Sequence, residues 1–353
     1  MSRFQADSMW SAAPDAKALL RPLYVAVCAL LALVVVAATG AVASDPTKIV
    51  GPNACAECHK REAKSWKSTH HFTTYREMPR KDEASKIGRK VGVRRIKSGA
   101  LCLNCHFSVQ QKDGREKIIA GISCESCHGA AKEWIKVHSS FSGKTALFES
   151  KAEAKARWAQ AESKGMIRPN AIYQLAKNCY GCHVVPEEEL VNKGRHHAGS
   201  AFDLVAWSQG GVRHNTWHSM GRENVAANAA RRRMLYLVGL GVELETSLRA
   251  IAKATARRTY AFAMAKRADR ARNQLDAAAK AVPGVPEIAE IVKLSRSAGL
   301  RLNNASRLNA AADAIAERLT RVSGKYDGST MAGLDAMIPG PDKYKGKVKK
   351  PDD

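Results

Sequence analysis

Aromatic residues are scarce in this chain, and acidic residues are outnumbered by basic ones. Phe, Trp and Tyr make up 6% of the 353 residues, and 33 Asp and Glu stand against 57 Lys and Arg, which gives a formal net charge of +24. Strand-like alternation of apolar and polar residues is sparse in the first two thirds of the chain, which disfavours a fold built on β-sheet. The basic excess points to nucleic acid, an anionic membrane surface or an acidic protein as a partner.

Residues 23–43 form an apolar run that three basic residues precede and Ala41-Val42-Ala43 ends. This pattern is typical of a cleaved signal peptide, and the run is also long enough for an uncleaved membrane anchor. In both cases the basic flank places the rest of the chain outside the cytoplasm. We therefore expect a periplasmic protein, with tethering to the inner membrane as the alternative. Cys28 lies within the run and is interpreted as an ordinary apolar residue.

The other eight cysteines form four copies of the pattern C-x-x-C-H. The copies are Cys55-Ala-Glu-Cys58-His59, Cys102-Leu-Asn-Cys105-His106, Cys124-Glu-Ser-Cys127-His128 and Cys179-Tyr-Gly-Cys182-His183. This pattern is the attachment signature of c-type haem. Two thiols separated by two residues reach the two vinyl groups on one side of a porphyrin, and the adjacent histidine becomes the proximal iron ligand. We therefore predict four covalently bound haem c groups.

Zinc binding and disulfide formation are the rival interpretations of these cysteines. Zinc sites use cysteine pairs but do not need a histidine directly after each pair. Exported cysteines often form disulfides, yet a disulfide within C-x-x-C is usually redox-active, and four such pairs are implausible in one chain. Four haems also bring about eight propionate charges, so part of the basic excess is expected to neutralise the cofactors.

Seven further histidines lie among the motifs, and none occurs after position 218. They are His70, His71, His138, His196, His197, His214 and His218. A second imidazole on the iron gives a six-coordinate, low-spin haem that is suited to electron transfer. Several of the seven are therefore expected to be distal ligands, with a surface or supporting role as the alternative for each. For the fourth motif, His197 and His214 are the candidates.

Two stretches resemble the tetrahaem cytochrome c-554 family. Trp66-Lys67-Ser68-Thr69-His70 resembles the W-x-x-S-x-H region of the family with one residue fewer, and the stretch from Ile122 to Gly129 resembles its G-V-S-C-E-x-C-H-G sequence. The resemblance implies that His138 ligates the first haem and His70 the third, with the adjacent His71 as the alternative. In this family the second haem lacks a distal protein ligand, and the proteins relay electrons from hydroxylamine oxidation.

The chain after the export segment divides by composition into three regions. Residues 44–221 hold the motifs, and the closeness of the second and third motifs suggests that their haems are neighbours. In residues 222–325, apolar residues at helical spacing form two stripes separated by a Val282–Pro286 break, which predicts a hairpin of two long helices. The hairpin would pack on the haem segment or on a second subunit. Residues 326–353 are basic and are predicted to be mobile.

These features predict a mainly α protein: a multihaem cytochrome c segment with little regular sheet, followed by a long C-terminal helical hairpin. The expected function is electron relay between redox partners, with the basic surface steering an acidic or membrane-bound protein. The alternative is an oxidoreductase that acts on a small nitrogen or sulfur compound at one open haem. Because all four motifs carry the standard histidine, the relay is favoured. Export disfavours nucleic acid, and no catalytic residue is assigned.

Overall fold

Short helices joined by loops make up the segment that carries the motifs. The computed structural model describes residues 45–350, apart from the side chain of His218, so the predicted export segment and Cys28 lie outside the described residues. The helices are α1 (Pro52–Ala56), α2 (Lys60–Lys67), α3 (His70–Glu77), α4 (Asp82–Lys90), α5 (Ala100–His106), α6 (Cys124–His128), α7 (Ile135–His138), α8 (Lys151–Ser163), α9 (Ile172–His183), α10 (Glu188–Asn192) and α11 (Leu204–Ser208).

One small sheet interrupts these helices. Strands β1 (Ser108–Lys112) and β2 (Arg115–Ala120) pair in antiparallel register, and Lys112 lies opposite Arg115. Asp113 and Gly114 connect them with φ angles of 53° and 71°, the backbone conformation that Asp-Gly turns adopt in tight hairpins. The hairpin joins α5 to α6, so it links the second motif directly to the third. The prediction of a mainly α fold with little sheet is confirmed.

Four long helices follow the haem segment, not the predicted two. They are α12 (Ala229–Lys253), α13 (Thr259–Ala281), α14 (Pro286–Ala298) and α15 (Ala305–Lys325). Each packs against the next, and α15 packs back against α12. The predicted break near residue 284 is present between α13 and α14. The hairpin prediction missed the turns that follow Lys253 and Ala298.

A contact from the haem segment explains the first missed turn. The Glu188 carboxylate accepts hydrogen bonds from the Thr255 amide and hydroxyl, both at 2.8 Å, and from the Ala256 amide at 3.2 Å. These bonds satisfy backbone amides in the connection between α12 and α13, and they fix the turn between the two helices. At the second missed turn, Gly299 has a φ of 70°, and Asn304 donates to its carbonyl at 3.0 Å. The first of these turns depends on a residue far away in the sequence.

Helix α12 is buried on nearly all sides, as expected of a central helix. A Cβ at Gly241 would overlap the Leu319 side chain of α15, and one at Gly239 would come within 2.9 Å of the Leu204 Cβ of α11. These two glycines allow α12 to approach the bundle on one side and the haem segment on the other. The described residues accordingly lie in one compact unit, and the change in composition near residue 221 is not a gap in packing.

The segment after α15 packs on the fold instead of forming the predicted mobile tail. Met331 and Leu334 are fully buried, and Arg233 binds the Asp335 carboxylate at 2.7 Å. Further along, the Lys345 amide donates to Ala206 O at 2.9 Å. The apolar residues that anchor this segment are isolated in a polar sequence, so they form no stripe that would predict a packed helix. Residues 351–353 lie outside the described range.

Buried apolar side chains are distributed unevenly along the chain. One large cluster extends from Ile172 to Leu334 and includes the fourth motif and all four long helices. The region of the first three motifs holds two small clusters of three buried residues each, centred on Phe107 and Trp134. No helix among the described residues has the length and hydropathy needed to cross a membrane.

Candidate haem-binding sites

Each motif occupies a single helical turn. The second, third and fourth motifs form the last turns of α5, α6 and α9, and each of these helices ends at the motif histidine. In the first motif the His59 amide donates to Cys55 O at 2.9 Å, which closes the same kind of turn. Residues three and four positions apart share one face of a helix. The two thiols and the imidazole of each motif can therefore address one side of a planar group.

Every motif histidine has a second histidine ring opposite it. The ring centres are 6.4 Å apart for His59 and His138, 6.4 Å for His106 and His196, 6.2 Å for His128 and His214, and 6.4 Å for His183 and His71. Two imidazoles on opposite sides of one metal ion have ring centres about 6.4 Å apart, because each metal–nitrogen bond is about 2 Å long. The spacing of all four pairs fits a six-coordinate haem iron.

Hydrogen bonds at Nδ1 orient most of the paired rings. His128 Nδ1 lies 2.9 Å from Ile167 O, His183 Nδ1 lies 2.8 Å from Ser200 Oγ, and His196 Nδ1 lies 2.7 Å from His197 O. His138 and His214 make equivalent contacts with Ile135 O and Val212 O. Metal-ligating histidines characteristically use one ring nitrogen in this way, which leaves Nε2 for the metal.

Burial favours the neutral, metal-binding form of the motif histidines His106, His128 and His183. Burial lowers the pKa of His106 to about 4, with a further contribution from His196, and burial lowers the pKa of His183 to about 4 with a contribution from His71. It is also the largest cause of the lowered pKa of His128. Because a metal competes with protons for the same nitrogen, these environments favour ligation.

The eight motif thiols form no disulfide within residues 45–350, and they approach one another between motifs. A hydrogen bond with Cys124 is the largest cause that raises the pKa of Cys55, and one with Cys105 is the largest cause that raises the pKa of Cys182. Burial raises the pKa of Cys179, with a further contribution from the nearby Cys127 thiol. Thioether bonds to haem would replace the thiol protons, so these pKa values would no longer apply. The contacts still show which motifs lie next to one another.

These contacts give the order in which the attachment sites adjoin. The first motif lies beside the third, the third beside the fourth, and the fourth beside the second. Cys105 of the second motif therefore contacts Cys182 of the fourth, while Ser108, just after the second motif, lies 3.4 Å from the Ser126 hydroxyl inside the third. Asn178 strengthens the central junction by donating to Cys127 O at 2.9 Å.

Two buried arginine nitrogens near the paired histidines lack a hydrogen-bond partner among the described residues. They are Nε of Arg213, which precedes His214, and Nε of Arg267, whose Nη1 donates to Ser200 O at 2.8 Å. Ser200 in turn contacts the ring of His183. The Arg267 guanidinium already has an acidic partner, because its Nη2 lies 3.2 Å from the Glu243 carboxylate. A buried unsatisfied donor costs free energy, so a further acceptor is expected near Nε of each arginine. The propionates of haem have the chemistry to satisfy them.

The structure places some, but not all, of the histidines named as distal ligands from the sequence opposite a motif histidine. His138 faces the first motif, as the resemblance implied. His214 faces the third motif and not the fourth, for which it was a candidate. His70 is exposed, and the adjacent His71 faces the fourth motif. His197 is exposed beside His196, with the ring centres 4.5 Å apart.

His196 is one of the seven candidate histidines, but the sequence did not assign it to a particular motif. It was one of two adjacent histidines, and position alone does not say which of two neighbours turns inward. Arg195 before it has a φ of 65°, and the His196 amide donates to Leu190 O at 2.9 Å. This local backbone conformation directs His196 towards His106.

The helical turns, thiol pairs and facing imidazoles are the arrangement that a c-type cytochrome segment would use to hold haem c covalently. Residues 54–129 match the family described as cytochrome c554 and c-prime. The resemblance noted in the sequence is confirmed for this segment, which carries the first three motifs.

A curated relative, cytochrome c-554 of Nitrosomonas europaea, is 26% identical over 142 residues. The alignment covers 38% of this chain and 57% of that protein, so the chain spans somewhat more than half of the relative it matches. No solved structure matches the chain.

Proposed function

We propose that the chain is an exported tetrahaem cytochrome that relays electrons through four haems, each held by two histidines. The four ligand pairs are His59 and His138, His106 and His196, His128 and His214, and His183 and His71. The observation that supports this assignment is the near-equal separation of the four ring pairs, 6.2 to 6.4 Å. Haem iron supplies one-electron chemistry when bound, and two imidazoles suit electron transfer.

The contacts between motifs support a relay over four separate sites. The attachment points adjoin in the order first, third, fourth and second, so four haems fixed at these points would form one continuous series. The first motif is at one end of this series and the second motif is at the other. Electrons would then enter and leave at different parts of the surface.

The pairing of His106 with His196 favours a relay over a catalytic oxidoreductase. Catalysis on a small molecule at haem iron needs an open coordination position. In the family that the sequence resembles, the second haem has that open position. Here the half-buried His106 imidazole of the second motif has a facing partner, His196, with its own Nδ1 contact, which would occupy the position.

The surface around the first motif has the charge and exposure of a docking site for an acidic redox protein. Cys58 is exposed, and Trp217 is 66% exposed with its ring centre 5.6 Å from that of His59. Helix α2 adds four exposed basic residues. These are Lys60, Arg61, Lys64 and Lys67. Complementary charge would raise the association rate with an acidic partner at low ionic strength.

Mass spectrometry and spectroscopy of the mature holoprotein test the main proposal. The mass should exceed that of the polypeptide by four haems, the N-terminal segment should be absent or membrane-bound, and the ferric protein should show low-spin signals only. Added cyanide or carbon monoxide should leave the spectrum unchanged. A high-spin haem in the intact protein, or fewer than four haems, would exclude the assignment.

Charge-reversal variants test the docking surface. We expect Lys60→Glu with Lys67→Glu to slow reduction by an anionic reductant such as dithionite and to weaken the dependence of the rate on salt. The matched control is Lys293→Glu with Arg307→Glu on the exposed surface of α14 and α15. If both double variants slow reduction equally, the net charge of the protein sets the rate, and the proposal of a local docking site is wrong.

A further inference from the structure

The C-terminal strap, defined as residues 340–350, lies across the loop that carries His214. The Lys345 amide donates to Ala206 O at 2.9 Å, and the Gly211 amide donates to Lys345 O at 2.7 Å. These two backbone bonds pair the strap with residues 206–211, which lead directly to His214. The strap therefore holds the polypeptide on the N-terminal side of this ligand.

Asn224 connects the strap to both peptide groups that flank His214. Its Nδ2 donates to Arg213 O at 2.7 Å and to Lys349 O at 3.0 Å, and its Oδ1 accepts from the Asn215 amide at 2.9 Å. One carboxamide thus contacts the residue before His214, the residue after it and the end of the strap. Displacement of Lys349 would remove one of the three contacts of this carboxamide.

The strap packs closely on the backbone of the loop. A Cβ on Gly210 would overlap the Lys345 carbonyl oxygen, and one on Gly211 would lie 3.3 Å from the Gly346 Cα. Glycine is therefore required at position 210 for the strap to reach its observed place. The contact is specific to this arrangement of backbone against backbone.

Apart from the strap, His214 is held through its own loop: the Thr216 amide donates to the His214 carbonyl at 3.0 Å, and the Val225 amide donates to Asn215 O at 3.0 Å. The residue is exposed and belongs to no helix or strand, and its Nδ1 contacts the carbonyl of Val212 in the same loop at 2.7 Å. Its ring nevertheless lies 6.2 Å from that of His128, at the separation of an axial pair. The position of the ring consequently depends on the position of the loop backbone.

We propose that the C-terminal strap is a positioning element that keeps His214 on the third haem. Without the strap, the loop would move and His214 would no longer be held beside His128, so a haem bound there would be open to a small diatomic or anionic ligand. This inference rests on the proposed pairing of His128 with His214. It assigns a function to a segment outside residues 54–129, the part of the chain that matches the family.

The test compares two truncated holoproteins with the intact one. One variant ends at Pro339 and lacks the strap, and the control ends at Lys350 and lacks only the last three residues. We expect the strapless variant to gain one high-spin haem out of four and to bind about one carbon monoxide per molecule when reduced. The control should remain low-spin and bind none. A strapless protein that is fully low-spin and binds no carbon monoxide would overturn the inference.

A point variant keeps the test decisive if the strapless protein does not fold. Gly210→Ala should produce the same high-spin fraction because its Cβ displaces Lys345, whereas Gly324→Ala, where a Cβ meets no atom within 4 Å, should not. His214→Ala supplies the reference spectrum of an open third haem. If His214→Ala stays low-spin, the ligand assignment is wrong. If His214→Ala is high-spin and Gly210→Ala is low-spin, the assignment stands and the strap has no positioning role.

Discussion

The buried carboxylate of Glu125 accepts the backbone amide of Gly51 at 2.8 Å, which ties the chain before the first motif to the centre of the third. The same carboxylate accepts the amides of Val50 at 3.0 Å and Ala131 at 2.8 Å. Three backbone donors thus converge on one side chain that lies between Cys124 and Cys127 of the third motif. The spacing of the first and third attachment sites depends on this residue.

Glu125→Gln should destabilise the protein without changing the motifs. The amide keeps one acceptor oxygen but presents an NH2 group to the Gly51 amide, so a buried donor loses its partner at a cost of about 2 kcal/mol. Guanidinium unfolding of the holoprotein measures this loss. Exposed Glu133→Gln, a few residues further along, is the control and should stay within about 0.5 kcal/mol of the parent. Equal stabilities of the two variants would contradict the assigned role of Glu125.

Removal of the imidazole opposite His106 should open the second haem. In His196→Ala, the neighbouring His197 could take the place of the lost imidazole, because the two ring centres are only 4.5 Å apart. The double variant with His197→Ala prevents this replacement. We expect a high-spin signal from one haem and cyanide binding at one site in the double variant. His197→Ala alone should keep all four haems low-spin. A high-spin signal in the single His197 variant would instead assign the ligand to His197.

The adjacent pair at the start of α3 offers a second comparison of neighbours. His71→Ala should make the fourth haem high-spin, because the His71 ring lies opposite His183. His70→Ala should leave the spectrum unchanged, since His70 is exposed and its carbonyl, not its ring, accepts the Thr74 hydroxyl at 2.8 Å. Electron paramagnetic resonance of the two ferric proteins distinguishes them. A reversed outcome would restore the ligand implied by the family resemblance.

The motifs could be predicted from sequence because each one is local. Cys124, Cys127 and His128 lie within a single helical turn, and the chemistry of haem attachment requires no other part of the chain. The mainly α fold was predictable for a similar reason, since the stripes of α12 and α15 are visible as helical spacing. Both predictions depend on residues that are neighbours in the sequence.

The distal pairing was less predictable because it depends on distant contacts. His71 precedes two motifs that it does not face, and it reaches the fourth because Gly121 packs directly on the His71 carbonyl, where a Cβ would overlap the oxygen. The turn before α13 similarly depends on Glu188, which belongs to the haem segment. Hydrophobic periodicity indicates which face of a helix is buried. It does not indicate which distant residue binds the free amides at the start of the helix.

The uneven distribution of buried side chains has a consequence for maturation of the protein. Tyr180 and Gly181, inside the fourth motif, are buried against the cluster that contains α12, whereas the first three motifs have little apolar core of their own. If the proposed haem attachment is right, a ligase that joins thiols to porphyrin would need an accessible segment and would have to act on Cys179 and Cys182 before α9 docks on α12. In a chain that crosses a membrane N-terminus first, the motif emerges ahead of α12, and vectorial export itself would provide this interval.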